Sequence, residues 1–493
     1  MLHVRRSISW SEGPGDVDAG TVNRDRHGPT ALGRHRSGEV QFGHQRRVRV
    51  GVTGARGNRP DPPSGQTGFD VAPARPPLVT FMLFVFVVFV ASTIAHLFRL
   101  FVREVIHFYS DRSGPTTASA KLSTATLFVL TTTSVLAAAA IGRFVQRRWP
   151  DRSGIEAIAA SARGDRVSMS LPATVLRVLG TFIVSAGLAS IGRESALIES
   201  GGVTGAVSGR SSGGRGDALA SAGLAAAFAS AYHAPVAAIL YAEEHLRIRQ
   251  SARATMFVVA GALLGQTFTV WLFNGGAVFP DIQGPKWTVA VLGLVVLVPT
   301  VVISKGFLYL RVRVTADSMM RLTRWPRPVV VALFAVAAGA SVAAFPFASG
   351  NGMEALERGS FAATSTLAVA LVVGKLVGTT AALGAGAPGG VLSPSMAVAG
   401  GTALLVLLAV DSLGIRVTHP WDAMVAAMAV GVAVGMRSPL VAIFLIPELL
   451  GDYALVLPIA VVIGLAWLLD RALERLLLRI GGAVPSVIHD EDA

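Results

Sequence analysis

Glu194 lies near the start of a glycine-rich stretch of an otherwise apolar chain, Gly192 to Gly202 (GRESALIESGG). A second such stretch, Gly384 to Gly401 (GAGAPGGVLSPSMAVAGG), carries no charge at all. Glycines let backbone N–H groups approach a ligand closely, and N–H groups gathered at a helix start attract an anion. Gly389-Gly390-Val391-Leu392-Ser393-Pro394 fits such a start, since proline suits a first helical turn, where no N–H is needed. Gly192-Arg193-Glu194-Ser195 opens a second helix toward the same point, and Ser153-Gly154-Ile155 offers a third, led by a hydroxyl donor. A carboxylate among these amides competes with the anion when ionised and leaves when protonated, so protonation and anion passage become linked. The plainer uses are tight helix packing for the glycines and, for Glu194, a salt bridge to Arg193 or a helix cap.

These residues need a membrane scaffold to position them. The 493 residues are 52% apolar with mean hydropathy +0.57, too apolar for an ordinary soluble protein. Leu78 to Ala95, Leu122 to Gly142 and Trp287 to Ser304 run 18, 21 and 18 residues without a charge, near the length of a bilayer span. Further apolar stretches at about 171–191, 218–242, 254–273, 328–350, 365–383, 423–436 and 453–469 are shorter or broken by Gly and Pro. They predict tilted or interrupted helices protected by neighbouring protein. The expectation is an all-α polytopic membrane protein.

The net charge is +13, and the basic residues gather at Arg143 to Arg152, Arg247 to Arg253, Arg311 to Arg327 and Arg471 to Arg479. By the positive-inside rule these loops and both termini face the cytoplasm, in a multi-pass protein of the cell membrane. Residues 1–76, with 12 basic and 7 acidic side chains, read as a disordered basic tail, and 481–493 as a short C-terminal one. Only the N-terminal tail could bind nucleic acid, and no such partner is expected. The absence of cysteine excludes disulfides and thiolate metal sites, and no cofactor or metal is expected.

A weak internal repeat aligns His233-Ala-Pro-Val-Ala-Ala-Ile-Leu-Tyr-Ala-Glu-Glu244 with Arg437-Ser-Pro-Leu-Val-Ala-Ile-Phe-Leu-Ile-Pro-Glu448, matching Pro235 with Pro439 and Glu244 with Glu448. In each half the glycine-rich stretch comes earlier, in the same order. Interrupted helices in corresponding places of two halves point to a site at the repeat interface.

This ordered set resembles the CLC family of chloride channels and proton-coupled chloride transporters, over roughly residues 78 to 480. Ser153-Gly154-Ile155 resembles that family's first filter motif (GSGIP), Gly192-Arg193-Glu194 its second (GREGP) and Gly390 to Pro394 its third (GxFxP). His233-Ala-Pro to Glu244, and Ser438-Pro-Leu to Tyr453, resemble the helices that close each half. The resemblance implies an inverted-repeat bundle with halves at about 77–275 and 286–480. It implies a homodimer with one anion pathway per subunit, in a lipid bilayer, that moves chloride and, in coupled members, protons. Ser153 and the amides of Val391 and Leu392 would hold the central anion, with Gly154, Arg193, Ser195, Gly390 and Ser393 around it, and Glu194 would be the external gate.

The chain also departs from the family pattern. Arg152, Glu156, Ser195 and Ala196 replace the usual glycine and proline at the motif edges, and Leu392 stands where phenylalanine is usual. Counting from Pro235, the internal proton-transfer glutamate falls at His245, one past Glu244; imidazole relays protons near neutral pH, or the member is uncoupled. A solvated histidine at a helix end is the plainer reading of His245, and Glu244 suits bonding to backbone donors at a broken helix. No tyrosine follows Tyr453, so the tyrosine that helps hold the anion in many members is missing. Lys375, inside an apolar run, either raises the local potential for anions or snorkels to the surface. Anion transport is the leading expectation; a passive channel or another halide is the alternative. An intramembrane acid/base or metal enzyme built on Glu194, Glu244 and His245 is more distant, because no H-E-x-x-H or paired-Asp spacing occurs.

Overall fold

The computed structural model describes residues 76–479 except 151–152, 163–168, 211–215 and 247–251. The expected tails, Pro76 apart, lie outside the described residues, as do Arg152 and most of Arg247 to Arg253.

The first half opens with α1 (Pro77–Ser110), which has proline in its first turn, and the short α2 (Pro115–Lys121). Ser123 caps α3 (Thr124–Arg148) by accepting the Thr126 amide at 3.2 Å; α4 (Ile155–Ala162) and α5 (Leu171–Ala186) follow. Next come α6 (Glu194–Arg210), α7 (Gly216–Tyr232), α8 (Pro235–Leu240) and α9 (Ala252–Phe273). The end of α8 widens into a π-helical turn, Tyr241–His245.

The second half runs through α10 (Thr288–Arg313), α11 (Ala316–Thr323), α12 (Arg327–Ala344) and α13 (Met353–Gly359). A π-helical turn, Ala370–Gly374, joins α14 (Ser365–Val369) to α15 (Lys375–Gly384). Then α16 (Leu392–Ser412), α17 (Pro420–Gly435), α18 (Pro439–Leu450) and α19 (Val456–Arg479) close the chain.

Among the described residues eight helical segments are long and apolar enough to cross a membrane, while Leu171–Ala186, Ala218–Tyr232, Pro420–Gly435 and Pro439–Leu450 are apolar but shorter. The short ones survive because protein surrounds them. In α7, Leu224 through Ala229 are fully buried, and α17 is buried from Trp421 to Gly435. A helix that is apolar on every side belongs in a core. Helices α6, α9 and α1 pack around α7, and α16, α10 and α19 pack around α17. Small residues allow the closest contacts: a Cβ on Gly201 of α6 would lie 2.2 Å from the Gly223 carbonyl of α7. On the outside, large apolar side chains such as Phe81, Trp271, Val291 and Leu468 are exposed, a surface suited to lipid rather than water. The protein is thus an all-α, multi-pass membrane bundle of the inverted-repeat type, with no sheet among the described residues.

Candidate functional site

Both glycine-rich stretches turn into helix starts. Helix α6 begins at Glu194 and α16 at Leu392, each two residues after a glycine of the antiparallel bridge between Gly192 and Gly390. The Gly192 amide donates to the Gly390 carbonyl at 2.9 Å, and the Gly390 amide to the Gly192 carbonyl at 2.7 Å. The bridge holds the two helix N-termini side by side, so the positive ends of two dipoles meet at one place.

The Glu194 carboxylate sits at that meeting point, and the residue is only 4% exposed. The Ser393 hydroxyl donates to Glu194 Oε1, while Oε2 has no hydrogen-bond partner among the described residues. Glycine leaves room for the carboxylate on both sides: a Cβ on Gly192 would crowd Oε2 and lie 2.6 Å from the Gly390 carbonyl, and one on Gly390 would lie 2.5 Å from Oε2. Glu194 makes no salt bridge with Arg193 among the described residues, although the two are neighbours in sequence. The carboxylate thus lies between two helix starts, where negative charge is favoured.

Tyr232, at the last position of α7, was not singled out in the sequence. Its hydroxyl lies 3.1 Å from Ser393 Oγ, so a line of hydrogen bonds runs from Tyr232 through Ser393 to Glu194. The signal that could have found it is its place just before the His233-Ala234-Pro235 break, where a chain leaves a buried helix.

Lys375 does not snorkel. It is fully buried, and its Nζ donates to the carbonyls of Gly350 (2.8 Å) and Ala348 (3.0 Å) and to Ser190 Oγ (3.3 Å). Among the described residues it makes no salt bridge, and its contacts lie beneath the segment that leads to Gly192. A cavity of about 250 Å³ is lined by Arg99, Arg103, Arg193, Asn351 and Glu354. Glu354 is engaged there by the amides of Thr116 and Thr117 at 2.7 and 3.1 Å.

Ser153 and Gly154 lie just ahead of α4, and the Gly154 amide leads to a different carboxylate. The Gly154 amide donates to Glu199 Oε1 at 2.8 Å; Thr174 Oγ1 (3.1 Å) and Arg177 Nε (2.9 Å) complete the cluster. Glu199, 1% exposed, therefore ties the first motif to α5 and α6, a role not visible in the sequence. Glu156 is exposed, so water screens its charge.

Glu244 and His245 fall in the π-helical turn. Glu244 accepts the amides of Leu440 (3.0 Å) and Val441 (2.8 Å), capping the start of α18. His245 is half-buried rather than solvated: Nδ1 lies 2.9 Å from Ser438 Oγ, and the ring stacks on Tyr241 with centroids 4.8 Å apart. Between His245 and Glu194 stands an aromatic column, in which Phe228 touches Tyr241 (4.8 Å) and Tyr232 (5.0 Å).

The family model for the voltage gated chloride channel matches residues 136–471. The chain belongs to this family. Among CLC relatives, it is 24% identical over 401 residues to the H(+)/Cl(-) exchange transporter ClcA of Vibrio campbellii, covering 76% of this chain and 84% of the relative. It is 26% identical over 355 residues to ClcA of Klebsiella pneumoniae, covering 66% and 72%. Its fold is similar to that of a slow cyanobacterial Cl-/H+ antiporter, with a TM-score of 0.64 at 21% identity over 82% of this chain and 98% of the other. A CLC-type fluoride/proton antiporter gives 0.62 at 18% identity, over 81% and 98%.

Proposed function

We propose that this CLC protein moves chloride across the cell membrane in exchange for protons, with Glu194 as the gate that links the two. The observation that carries this reading is the Glu194 carboxylate lodged between the N-termini of α6 and α16, where the Ser393 hydroxyl donates to it. An ionised carboxylate there occludes the path of an anion. Once protonated it loses its attraction to the helix starts and yields the place, and its return in ionised form releases a proton. The relatives named as H(+)/Cl(-) exchange transporters support chloride as the anion. Ser153 in the first motif agrees with chloride rather than nitrate by family analogy. Arg193, Ser195, Gly390 and the amides of Val391 and Leu392 form the remainder of the anion's surroundings, and His245 takes the inner end of the proton route. The subunits pair as a homodimer, with both termini in the cytoplasm.

The test is anion efflux from liposomes carrying the purified protein, with chloride and pH recorded together. Wild type is expected to move protons uphill as chloride leaves, and Glu194→Gln to lose that proton movement. Chloride efflux without proton movement in wild type would make it a passive conductor, and no anion flux at all would refute transport.

A further inference from the structure

Tyr232 joins α7 to a gate that belongs to α6 and α16. Its side chain is 4% exposed, and its ring packs on Phe228 with centroids 5.0 Å apart. The hydroxyl makes the 3.1 Å contact with Ser393 Oγ. A serine hydroxyl has one proton, and this one is given to Glu194 Oε1. The bond between Tyr232 and Ser393 therefore has Tyr232 as donor while Glu194 is ionised, and the proton order runs from Tyr232 to Ser393 to the carboxylate.

Packing alone does not call for this hydroxyl. The corresponding position of the second half, one residue before the positive-φ residue that precedes its own Ser-Pro break, is Met436, buried at 8% exposure. The fold thus fills the same place with an apolar side chain where no gate is present. Arg99 fixes the backbone around Tyr232 by donating to the carbonyls of Ala231 (3.2 Å) and Ser230 (3.4 Å), which keeps the ring aimed at Ser393.

We propose that Tyr232 and Ser393 form a paired hydroxyl donor for a small halide-like anion, which takes the position of the Glu194 carboxylate when that side chain withdraws. Tyr232 is the positioning member: by donating into Ser393 Oγ it leaves the serine proton only one direction, toward the ligand. Without it the serine hydroxyl rotates freely and must be reoriented at each binding event. Because a hydroxyl donor favours a compact, strongly hydrogen-bonding anion, the pair also favours chloride over a large, weakly hydrated anion such as thiocyanate. This rests on the anion-transport reading of the same site.

The test uses the full-length protein in two assays. In liposome flux, Tyr232→Phe, which keeps the ring, is expected to raise the apparent KM for chloride about three- to tenfold, the worth of one hydrogen bond, with a smaller change in maximal rate. Its preference for chloride over thiocyanate should shrink. In calorimetry of the detergent-solubilised Glu194→Gln protein, adding Tyr232→Phe should weaken chloride binding by a similar factor. Ser393→Ala should weaken it as well, and the double substitution should cost less than the sum of the two singles, because Tyr232 acts through Ser393. Unchanged KM, unchanged preference or full additivity would overturn the proposal. A wild type without flux would instead refute transport, while the calorimetric comparison would still decide the role of Tyr232.

Discussion

The two halves of this molecule share one backbone and differ in the chemistry placed on it. Helix α5 ends with the Leu188 amide on the Ser185 carbonyl (3.2 Å) and the Ala189 amide on that of Val184 (3.1 Å). Helix α15 ends with Gly386 on Leu383 (2.9 Å) and Ala387 on Ala382 (3.2 Å), the same pair of helix-closing bonds. Leu188 and Gly386 both take positive φ there, 61° and 93°, and His233 and Arg437 both take 55° before their Pro-led helices. Arg99 donates to the Ala231 carbonyl at the end of α7, as Arg311 does to Gly435 at the end of α17. The caps are exchanged: Glu244 of the first half holds the start of α18, and Glu448 of the second holds the start of α8 through the amides of Val236 and Ala237, both at 2.9 Å. At the bridge the likeness stops. Counting two residues from Gly192 gives Glu194, and two from Gly390 gives Leu392; before the breaks stand Tyr232 and Met436. The duplicated backbone brings two helix starts together, and only the first half places a carboxylate there.

The most severe way to break this asymmetry is Glu194→Leu, which gives the first half the residue of the second. Chloride flux should then lose its pH dependence and proton movement should fall below detection, as read by paired chloride and pH electrodes. Proton movement that persisted would mean that the gate is not the residue that distinguishes the halves.

The exchanged caps should not be equal. Glu448 is 4% exposed and accepts a third bond, from the Tyr453 hydroxyl at 2.7 Å, whereas Glu244 is half-buried with two. Removing a buried, fully bonded carboxylate strands the amides it served, so Glu448→Ala should destabilise by about 2–4 kcal/mol. Glu244→Ala, at a cap that water can reach, should cost about 1 kcal/mol. Thermal unfolding of the two variants in one detergent checks the order, and equal losses would mean that burial does not separate the two caps. The guanidinium caps should differ less: Arg311→Met and Arg99→Met should each cost about 1 kcal/mol, by the loss of a charged donor at a helix C-terminus.

Much of this was legible in the sequence, and the illegible part has one physical cause. Apolar runs placed the helices, the glycine-rich stretches marked the starts of α6 and α16, and four identities in twelve residues aligned α8 with α18. Hydropathy and glycine spacing are properties of contiguous residues. The pairings that complete the site are not: Ser393 meets Glu194, Tyr232 meets Ser393 and Glu448 meets Val236, each across more than 150 residues of sequence. Lys375 shows the limit most clearly. A lysine in an apolar run looks the same whether it reaches the surface or, as here, ends on the carbonyls of Ala348 and Gly350.

The smallest expected effect lies where α18 ends. There Asp452 Oδ1 accepts the Ala454 amide at 2.9 Å, and Oδ2 pairs with Lys286 Nζ at 2.7 Å, fastening the segment ahead of α10 to the end of α18. The first half has no such pin among the described residues; α8 runs into its π-helical turn and His245 reaches Ser438 instead. The hydrogen bond and charge of Lys286 hold the Asp452 carboxyl below its ordinary value of 3.8. With the folded value below the unfolded one, the pair stabilises fully above the ordinary aspartate range and loses its contribution as the pH falls through the folded value. Both groups are partly exposed and screened by salt, so the effect is small. Asp452→Asn should lower the unfolding temperature slightly at neutral pH, more at low salt than at high, and the difference from wild type should vanish in strong acid. A variant that matched wild type at every pH would mean that charge does not pin the end of α18, and that the amides of Val278 and Phe279 on the Leu449 carbonyl hold that end without it.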